Sequence, residues 1–242
     1  IFLIKYNTDG VKQWTKQFGT NKNDYGYALD LDSSGNIYVG AIVGASYDGN
    51  TSTGRPDTVL IKFNSNGIKQ WSKQQGDGSS SNDVNDVAVD SSGNVYMLGQ
   101  ASGSFDGNTS VGYGDDYFLM KYNSSGTKQW SKLFGSDQDD SGMRMDFDSS
   151  DNIYITGWTR GNLDGNTNSG DYDLFVTKMN SSGTIQWTKL HGTTTLEMGR
   201  GIDVDSRNKI FVTGFTREGN SDNGINSNDL LYLKYNSSGE IQ

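Results

Sequence analysis

Thr58-Val-Leu-Ile-Lys-Phe-Asn-Ser-Asn-Gly-Ile-Lys-Gln-Trp-Ser-Lys73 reads as an apolar strand, a tight Asn/Gly turn and a second strand carrying Trp71. Val, Ile and Phe suit a pleated backbone, while Asn and Gly supply the positive φ angles and side-chain caps that a hairpin needs. The hairpin recurs: its lysine is Lys5, Lys62, Lys121, Lys178 and Lys234, at steps of 57, 59, 57 and 56 residues. Its tryptophan is Trp14, Trp71, Trp130 and Trp187. Two acidic pegs keep the same phase. Asp32, Asp90, Asp148 and Asp205 each open a polar turn before an apolar strand, and Asp57, Asp116, Asp173 and Asp229 each stand five residues before the lysine. Pegs held in phase along a chain define a folded array, so the fold is that of the repeat.

Working outward from the hairpin completes the unit. Tyr27-Ala-Leu-Asp-Leu31 is a strand, Asp32-Ser-Ser-Gly35 a turn and Asn36-Ile-Tyr-Val39 a second strand. A loop rich in Gly, Ser and Asp then runs from Gly44 to Asp57, where the quoted hairpin begins. Four antiparallel strands in a repeat of about 57 residues make a propeller blade. The strands are continuously apolar, as in Thr58-Val-Leu-Ile61, which fits sheets covered on both faces, with the recurrent Trp on the fourth strand filling the space between sheets. The expectation is an all-β propeller of about four and a half repeats, either five-bladed or a segment of a larger ring. A partial blade covers 1–23, and further blades cover 24–81, 82–139, 140–196 and 197–242. The count comes to eighteen strands, and a start in mid-blade with an end inside a strand marks the chain as a segment of a longer array.

Composition agrees. The 242 residues include 32 glycines and only 32% hydrophobic residues, too few for a thick helical core. One proline, Pro56, and no cysteine leave neither disulfides nor thiolate metal sites. The net charge of −9 opposes nucleic acid and anionic membrane surfaces. The acid is almost all Asp, the glutamates being Glu197, Glu218 and Glu240, and Asp favours turns where Glu favours helices. No apolar run approaches a membrane span, and no signal peptide is visible at Ile1.

Asp32-Ser-Ser-Gly-Asn-Ile-Tyr-Val39, the Asp-Gly-Asn-Thr run at Asp48, the hairpin Asp116 to Gly126 and Lys128-Gln-Trp-Ser-Lys132 resemble the SBBP-type β-propeller repeat of bacteria and archaea. The resemblance extends over essentially the whole chain. It implies a propeller and a secreted or cell-surface scaffold, and it carries over no catalytic residue. The last unit departs most, with Glu218-Gly-Asn for Asp-Gly-Asn and Arg207-Asn-Lys for the Ser-Gly-Asn turn.

Blade topology puts the two short turns of each repeat on one face and both long connections on the other. The long-loop face is the expected binding face, and it collects Tyr47, Arg55, Phe105, Tyr113, Trp158, Arg160 and Arg217. On the same loops Asp48-Gly-Asn50, Asp106-Gly-Asn108 and Asp164-Gly-Asn166 are each followed, nine or ten residues on, by Asp57, Asp116 or Asp173. Carboxylates and an amide on a loop that Gly lets bend are chemically suited to calcium. They do not reproduce the EF-hand spacing, and a type I′ or Asx turn is the competing reading. Asp30, Asp146 and Asp203 on the first strands would either line a channel or satisfy nearby backbone groups. Lys5 and its repeats would pair with the Asp of their own strand or lie along an apolar face. The sequons at Asn123 and Asn180 fall in turns that already demand Asn and Ser.

Nothing in the motifs points to catalysis. The lone histidine is His191, and no nucleophile, zinc or phosphate-loop pattern occurs. Paired Asp residues recur in every blade, whereas an active site breaks repeat symmetry, so the chain is expected not to be an enzyme. Three functions remain. The first is an extracellular or cell-surface adhesion scaffold meeting a protein or matrix partner. The second is a lectin-like propeller holding a glycan, and the third a self-assembling subunit of a sheath or filament.

Overall fold

The computed structural model describes residues 1–78, 82–217 and 228–242, and every named element among them is a strand. β1 (Phe2–Tyr6) and β2 (Lys12–Gln17) form a two-stranded sheet. β3 (Asp24–Leu31), β4 (Ile37–Val43), β5 (Asp57–Phe63) and β6 (Lys69–Gln75) form the first four-stranded sheet. The next two are β7 (Asn82–Val89), β8 (Val95–Ala101), β9 (Asp116–Tyr122) and β10 (Lys128–Phe134), then β11 (Asp140–Phe147), β12 (Ile153–Thr159), β13 (Asp173–Met179) and β14 (Ile185–His191). β15 (Leu196–Val204), β16 (Ile210–Arg217) and β17 (Asn228–Tyr235) close the series as a three-stranded sheet. Each sheet is a meander in sequence order, so its two short turns lie at one end and its long connections at the other. Eighteen strands were expected. The fourth position of the last sheet holds only an isolated bridge between Tyr235 and Ile241. Glu218 lies outside the described residues.

The short turns explain their own composition. Asp32 Oδ1 accepts the backbone N–H groups of Ser34 (3.0 Å) and Asn36 (2.9 Å), and its Oδ2 accepts Asn36 Nδ2 (2.7 Å) and the Tyr38 hydroxyl (3.2 Å). Asp90 and Asp148 repeat all four bonds. The divergent Asp205 turn keeps the backbone pair, with Asn208 taking the positive φ of 57°. In the second turn Asn64 Oδ1 caps Asn66 and Ile68, and Gly67 at φ 71° introduces the register shift seen between Lys62 and Phe63. A second bulge recurs in first strands, between Gly26 and Ala28, Gly142 and Arg144, and Gly199 and Gly201.

The chain divides into two compact units, Ile1–Met97 with Met120–Trp130 and Leu98–Leu119 with Ser131–Gln242. In the first, Ile37, Val39, Val43, Val59, Ile61 and Phe63 pack on Leu3, Trp14 and Phe18 of the preceding sheet. In the second, Tyr154, Leu174 and Val176 pack on Ile210, Val212, Leu233 and Tyr235 of the following one. Each such side chain contributes about 1.5–3 kcal/mol when fully buried. β4 and β5 are buried at every position, which is why they read as continuous apolar runs. The tryptophans sit as expected on fourth strands. Trp71 packs on Tyr38 with ring centroids 6.0 Å apart and receives the next sheet's turn, where a Cβ on Gly126 would lie 2.8 Å from its ring. Trp187 and Gly239 repeat the arrangement.

The repeat lysines correct the expected pairing. Lys121 and Lys178 pair with the turn residues Asp90 (3.8 Å) and Asp148 (3.7 Å), not with the Asp of their own strand. Lys62, Lys121 and Lys178 stand over the rings of Tyr38, Tyr96 and Tyr154 at 4.9, 5.0 and 5.1 Å, and Lys62 reaches the Ser124 carbonyl of the next turn (2.9 Å). The first-strand acids satisfy backbone: Asp30 accepts Val89 N–H (2.8 Å) and Asp146 accepts Val204 N–H (2.6 Å), each from the next sheet's first strand.

Where a first strand meets the preceding sheet's second strand, a small residue faces a larger one. A Cβ on Gly40 would lie 2.8 Å from Val84, one on Gly142 would lie 2.9 Å from Leu98, and one on Gly199 would lie 2.2 Å from Thr156.

Candidate functional site

The Asp-Gly-Asn motifs form tight turns in the long connections. Asp48, Asp106 and Asp164 have φ of 55°, 50° and 49°, and the glycine that follows each has φ near 80°. Both central residues are thus left-handed, as a type I′ turn requires. Phe105 with Asn108 and Leu163 with Asn166 exchange backbone hydrogen bonds across the turn, and Asn50, Asn108 and Asn166 turn their side-chain amides onto the carbonyls of Tyr47, Phe105 and Leu163. Asp48 ion-pairs with Lys69 and accepts the Ser72 hydroxyl (2.7 Å), which together hold its carboxyl below the usual range. Asp164 takes the Thr188 hydroxyl in the same way.

Asp57, Asp116 and Asp173 are fully buried at the starts of third strands, facing other partners than these turns. Asp57 accepts Thr53 N–H (3.1 Å), the Thr53 hydroxyl and Gln74 Nε2 (2.6 Å). Asp116 accepts Val111 N–H (2.7 Å) and Asp173 accepts Ser169 N–H (2.9 Å), in each case through Oδ2, which leaves a buried Oδ1 without a hydrogen-bond partner. The Asp-Gly-Asn acids and these acids therefore point to separate places. Among the described residues no group of three or more His, Cys, Asp or Glu side chains is gathered for a metal ion.

A different set of acids meets Asp116 and Asp173. Asp140, the first residue of β11, is fully buried and is bonded by the backbone N–H and hydroxyl of Ser136. A Cβ on Gly135 would lie 1.9 Å from Asp116 Oδ1 and 3.0 Å from Asp140 Oδ2, so the two carboxyls crowd one glycine. Burial, with the Asp140 and Asp115 charges, pushes Asp116 up to about 6 against the bond from Val111, and burial raises Asp140 as well. Glu197, in the equivalent place one repeat on, is bonded by Thr193 N–H (2.7 Å) and the hydroxyls of Thr193 (2.8 Å) and Thr216 (2.7 Å). Burial, followed by the Glu197 charge and offset by His191, raises Asp173.

In the second unit, Trp158 near the end of β12 and residues of the adjoining connections assemble a half-buried cluster. Trp158 meets the Tyr172 ring edge-on at 4.8 Å, and the Arg160 guanidinium lies 4.9 Å over the same Tyr172 ring. Asp171 (3.0 Å) and Asp139 (3.6 Å) ion-pair with Arg160, and its backbone N–H donates to the Asp139 carbonyl (2.9 Å). The segment that carries Asp139 also holds the Tyr113 loop, whose backbone N–H donates to the Asp137 carbonyl (3.3 Å). Tyr113 itself is 90% exposed. A guanidinium held by two carboxylates over one aromatic face, with an exposed tyrosine on a neighbouring loop, has the composition of a recognition hot spot.

Trp158, Arg160 and Tyr113 are thus brought to one loop cluster. Arg55 is exposed on its own connection, and Arg217 Nε donates to Asn228 Oδ1 (3.4 Å). Tyr47 and Phe105, expected on the loop face, are instead buried: each ring precedes an Asp-Gly turn that folds it back onto its sheet, Phe105 stacking on Phe118 at 4.4 Å. Burial, then the Asp48 charge, pushes the Tyr47 hydroxyl up to about 12. Sequence reasoning missed Tyr172, Asp139 and Asp171, and also Asp140 and Glu197. The usable signal was position: Asp24, Asn82, Asp140 and Glu197 recur at the start of each first strand.

These sheets and turns define a β-propeller repeat protein. Three segments, residues 13–41, 70–106 and 129–164, match the SBBP β-propeller repeat. The regulatory protein FlaEY of Caulobacter vibrioides is 26% identical over 198 residues, which cover 75% of this chain and 20% of that protein. Among solved structures, the polysaccharide lyase PL25 ulvan lyase superposes with a TM-score of 0.50 at 13% identity, both alone and bound to -[GlcA(1-4)Rha3S]-. The match covers 88% of this chain and 53% of the lyase, so the chain spans about half the length of that structure and a fifth of FlaEY.

The lyases overturn the expectation that the chain is not an enzyme, because their fold is one that carries catalysis. The crowded acids also break the repeat symmetry that the Asp-Gly-Asn motifs keep: the position occupied by Asp140 is Asn82 one repeat earlier and Glu197 one repeat later.

Proposed function

We propose that the chain is an extracellular or cell-surface interaction and adhesion scaffold, which captures its partner on the long-loop end of its sheets. The observation that carries this reading is the Trp158, Arg160 and Tyr172 cluster, with Arg160 fixed by Asp139 and Asp171 and Tyr113 exposed beside it. Trp, Tyr and Arg provide most binding energy at protein interfaces, and a guanidinium already ordered by two carboxylates loses little freedom on contact. Partner capture from an extracellular protein or matrix preparation tests it. Trp158→Ala and Arg160→Ala each weaken binding tenfold or more, about 1.4 kcal/mol, while Ser65→Ala at the opposite end of a sheet leaves it unchanged. Equal binding by all three variants would overturn the assignment of this face.

A glycan is the second partner class. Aromatic rings beside carboxylates suit sugar rings and hydroxyls, and the structurally similar ulvan lyase has been seen bound to -[GlcA(1-4)Rha3S]-. Binding to a panel of neutral and anionic polysaccharides, with chain length followed after incubation, separates simple capture from cleavage.

A further inference from the structure

The turn that joins β9 to β10 lies against β6, the fourth strand of the preceding sheet, and beside that contact the first unit holds a cleft of about 360 Å³. Its walls are the end of β6, the end of β9 and the turn itself, with Asn50 of the long connection. The chain shows why this cleft is open. Phe18, just past β2, packs on Phe63 at the end of the next sheet's third strand, with ring centroids 5.2 Å apart. One repeat on, Tyr122 is the counterpart of Phe63, but the counterpart of Phe18 is Gln75, and both line the cleft. An amide stands where the first junction has an aromatic plug.

The lining is also selective in charge. The chain carries 29 acidic residues and a net charge of −9, yet the described residues of the cleft include Lys73 and Lys128 and no Asp or Glu. Lys73 is half-buried, its stem lying along the turn, where a Cβ on Gly126 would stand 3.2 Å from its Cε. Its ammonium takes no partner among the described residues, whereas the equivalent Lys132 donates to the Gly183 carbonyl (2.8 Å). The remaining groups are neutral and polar. Asn50 is fixed through its amide nitrogen on the Tyr47 carbonyl (2.8 Å) and the Ser72 hydroxyl (3.0 Å), which leaves its side-chain oxygen as an acceptor. Thr127 adds an exposed hydroxyl.

We infer that this cleft binds an acidic sugar unit of a polysaccharide, a uronate or a sulfated residue. Lys73 takes the anion with Lys128 beside it, while Asn50, Gln75 and Thr127 meet the sugar hydroxyls. A half-buried cation without a counter-charge gains strongly from an anionic partner. Walls of amides and hydroxyls disfavour a flat base or an apolar peptide side chain, either of which would leave them unpaired. The cleft lies in the first unit and uses neither Trp158 nor Arg160, so it stands or falls apart from the loop-face assignment.

The test titrates the 242-residue chain with tetragalacturonate, a sulfated heparin tetrasaccharide, neutral maltotetraose and sodium sulfate, reading dissociation constants by calorimetry. At least one acidic tetrasaccharide is expected to bind tenfold or more tighter than maltotetraose and sulfate. Lys73→Gln, and Gln75→Phe, which restores the aromatic of the first junction, should each weaken that binding tenfold or more, with Trp158→Ala unchanged. Near-ultraviolet circular dichroism checks folding, and Lys128→Gln, at an exposed position, replaces a variant that does not fold. Binding of neither acidic probe overturns the inference, as does equal binding of maltotetraose or of sulfate alone. So does an acidic probe that the folded cleft variants hold as tightly as the unaltered chain, or that only Trp158→Ala releases.

Discussion

Asp148 shows how much one side chain contributes in this fold. Its two oxygens take the N–H groups of Ser150 and Asn152, the Asn152 amide, the Tyr154 hydroxyl and the Lys178 charge. Asp148→Ala strands a buried hydroxyl and an ammonium together, and is expected to lower unfolding free energy by about 2–4 kcal/mol in urea titrations. Those bonds outweigh burial and hold Asp148 and Asp32 below the usual carboxylate range, so their stabilisation is complete above about pH 4 and is lost as acid protonates them. Asp116 behaves oppositely. Raised to about 6 in the fold, it favours the native state when protonated, fully below about pH 4, and this contribution disappears as pH rises through 6. The thermal midpoint should therefore rise on going from pH 7.5 to 5, and Asp116→Asn should rise less over the same interval. An unchanged rise in the variant would remove Asp116 as its source. The turn Asp was legible in sequence because every partner of its side chain except the lysine lies within six residues. Asp140 and Glu197 were not, because the acids they crowd belong to the repeat before.

At the scale of elements, the hairpin was legible from Lys62 to Trp71 because Asn64 and Gly67 encode its turn locally. The fate of an aromatic was not. Tyr47, Phe105 and Tyr113 all sit in long connections, yet only Tyr113 is exposed, because burial depends on which sheet the loop folds against. The turns also interlock neighbouring sheets, and two glycines separate that effect from local strain. Gly93 and Gly126 have φ of 78° and 80°, but a Cβ would meet nothing within 4 Å at Gly93 and the Trp71 ring at 2.8 Å at Gly126. Gly93→Ala should cost about 1 kcal/mol, the left-handed penalty alone, and Gly126→Ala at least about 1 kcal/mol more. Equal urea midpoints for the two variants would mean that the Trp71 contact adds nothing.

For the whole molecule, the period of the array was plain in the sequence and the division into two compact units was not. Each repeat carries the same local instructions, so a boundary between units leaves no mark in composition. The junction glycines reach further. The small partner stands on the second strand at one junction, as Gly40 facing Val84, and on the first strand at two, as Gly142 facing Leu98 and Gly199 facing Thr156. Exchanging the repeat that carries Val84 with the one that carries Gly142 would set Thr156 against Val84 at one boundary and Gly40 against Gly142 at another. These sizes act as a partial address code, in which the repeat that carries Val84 fits behind Gly40 and not behind Leu98 or Thr156.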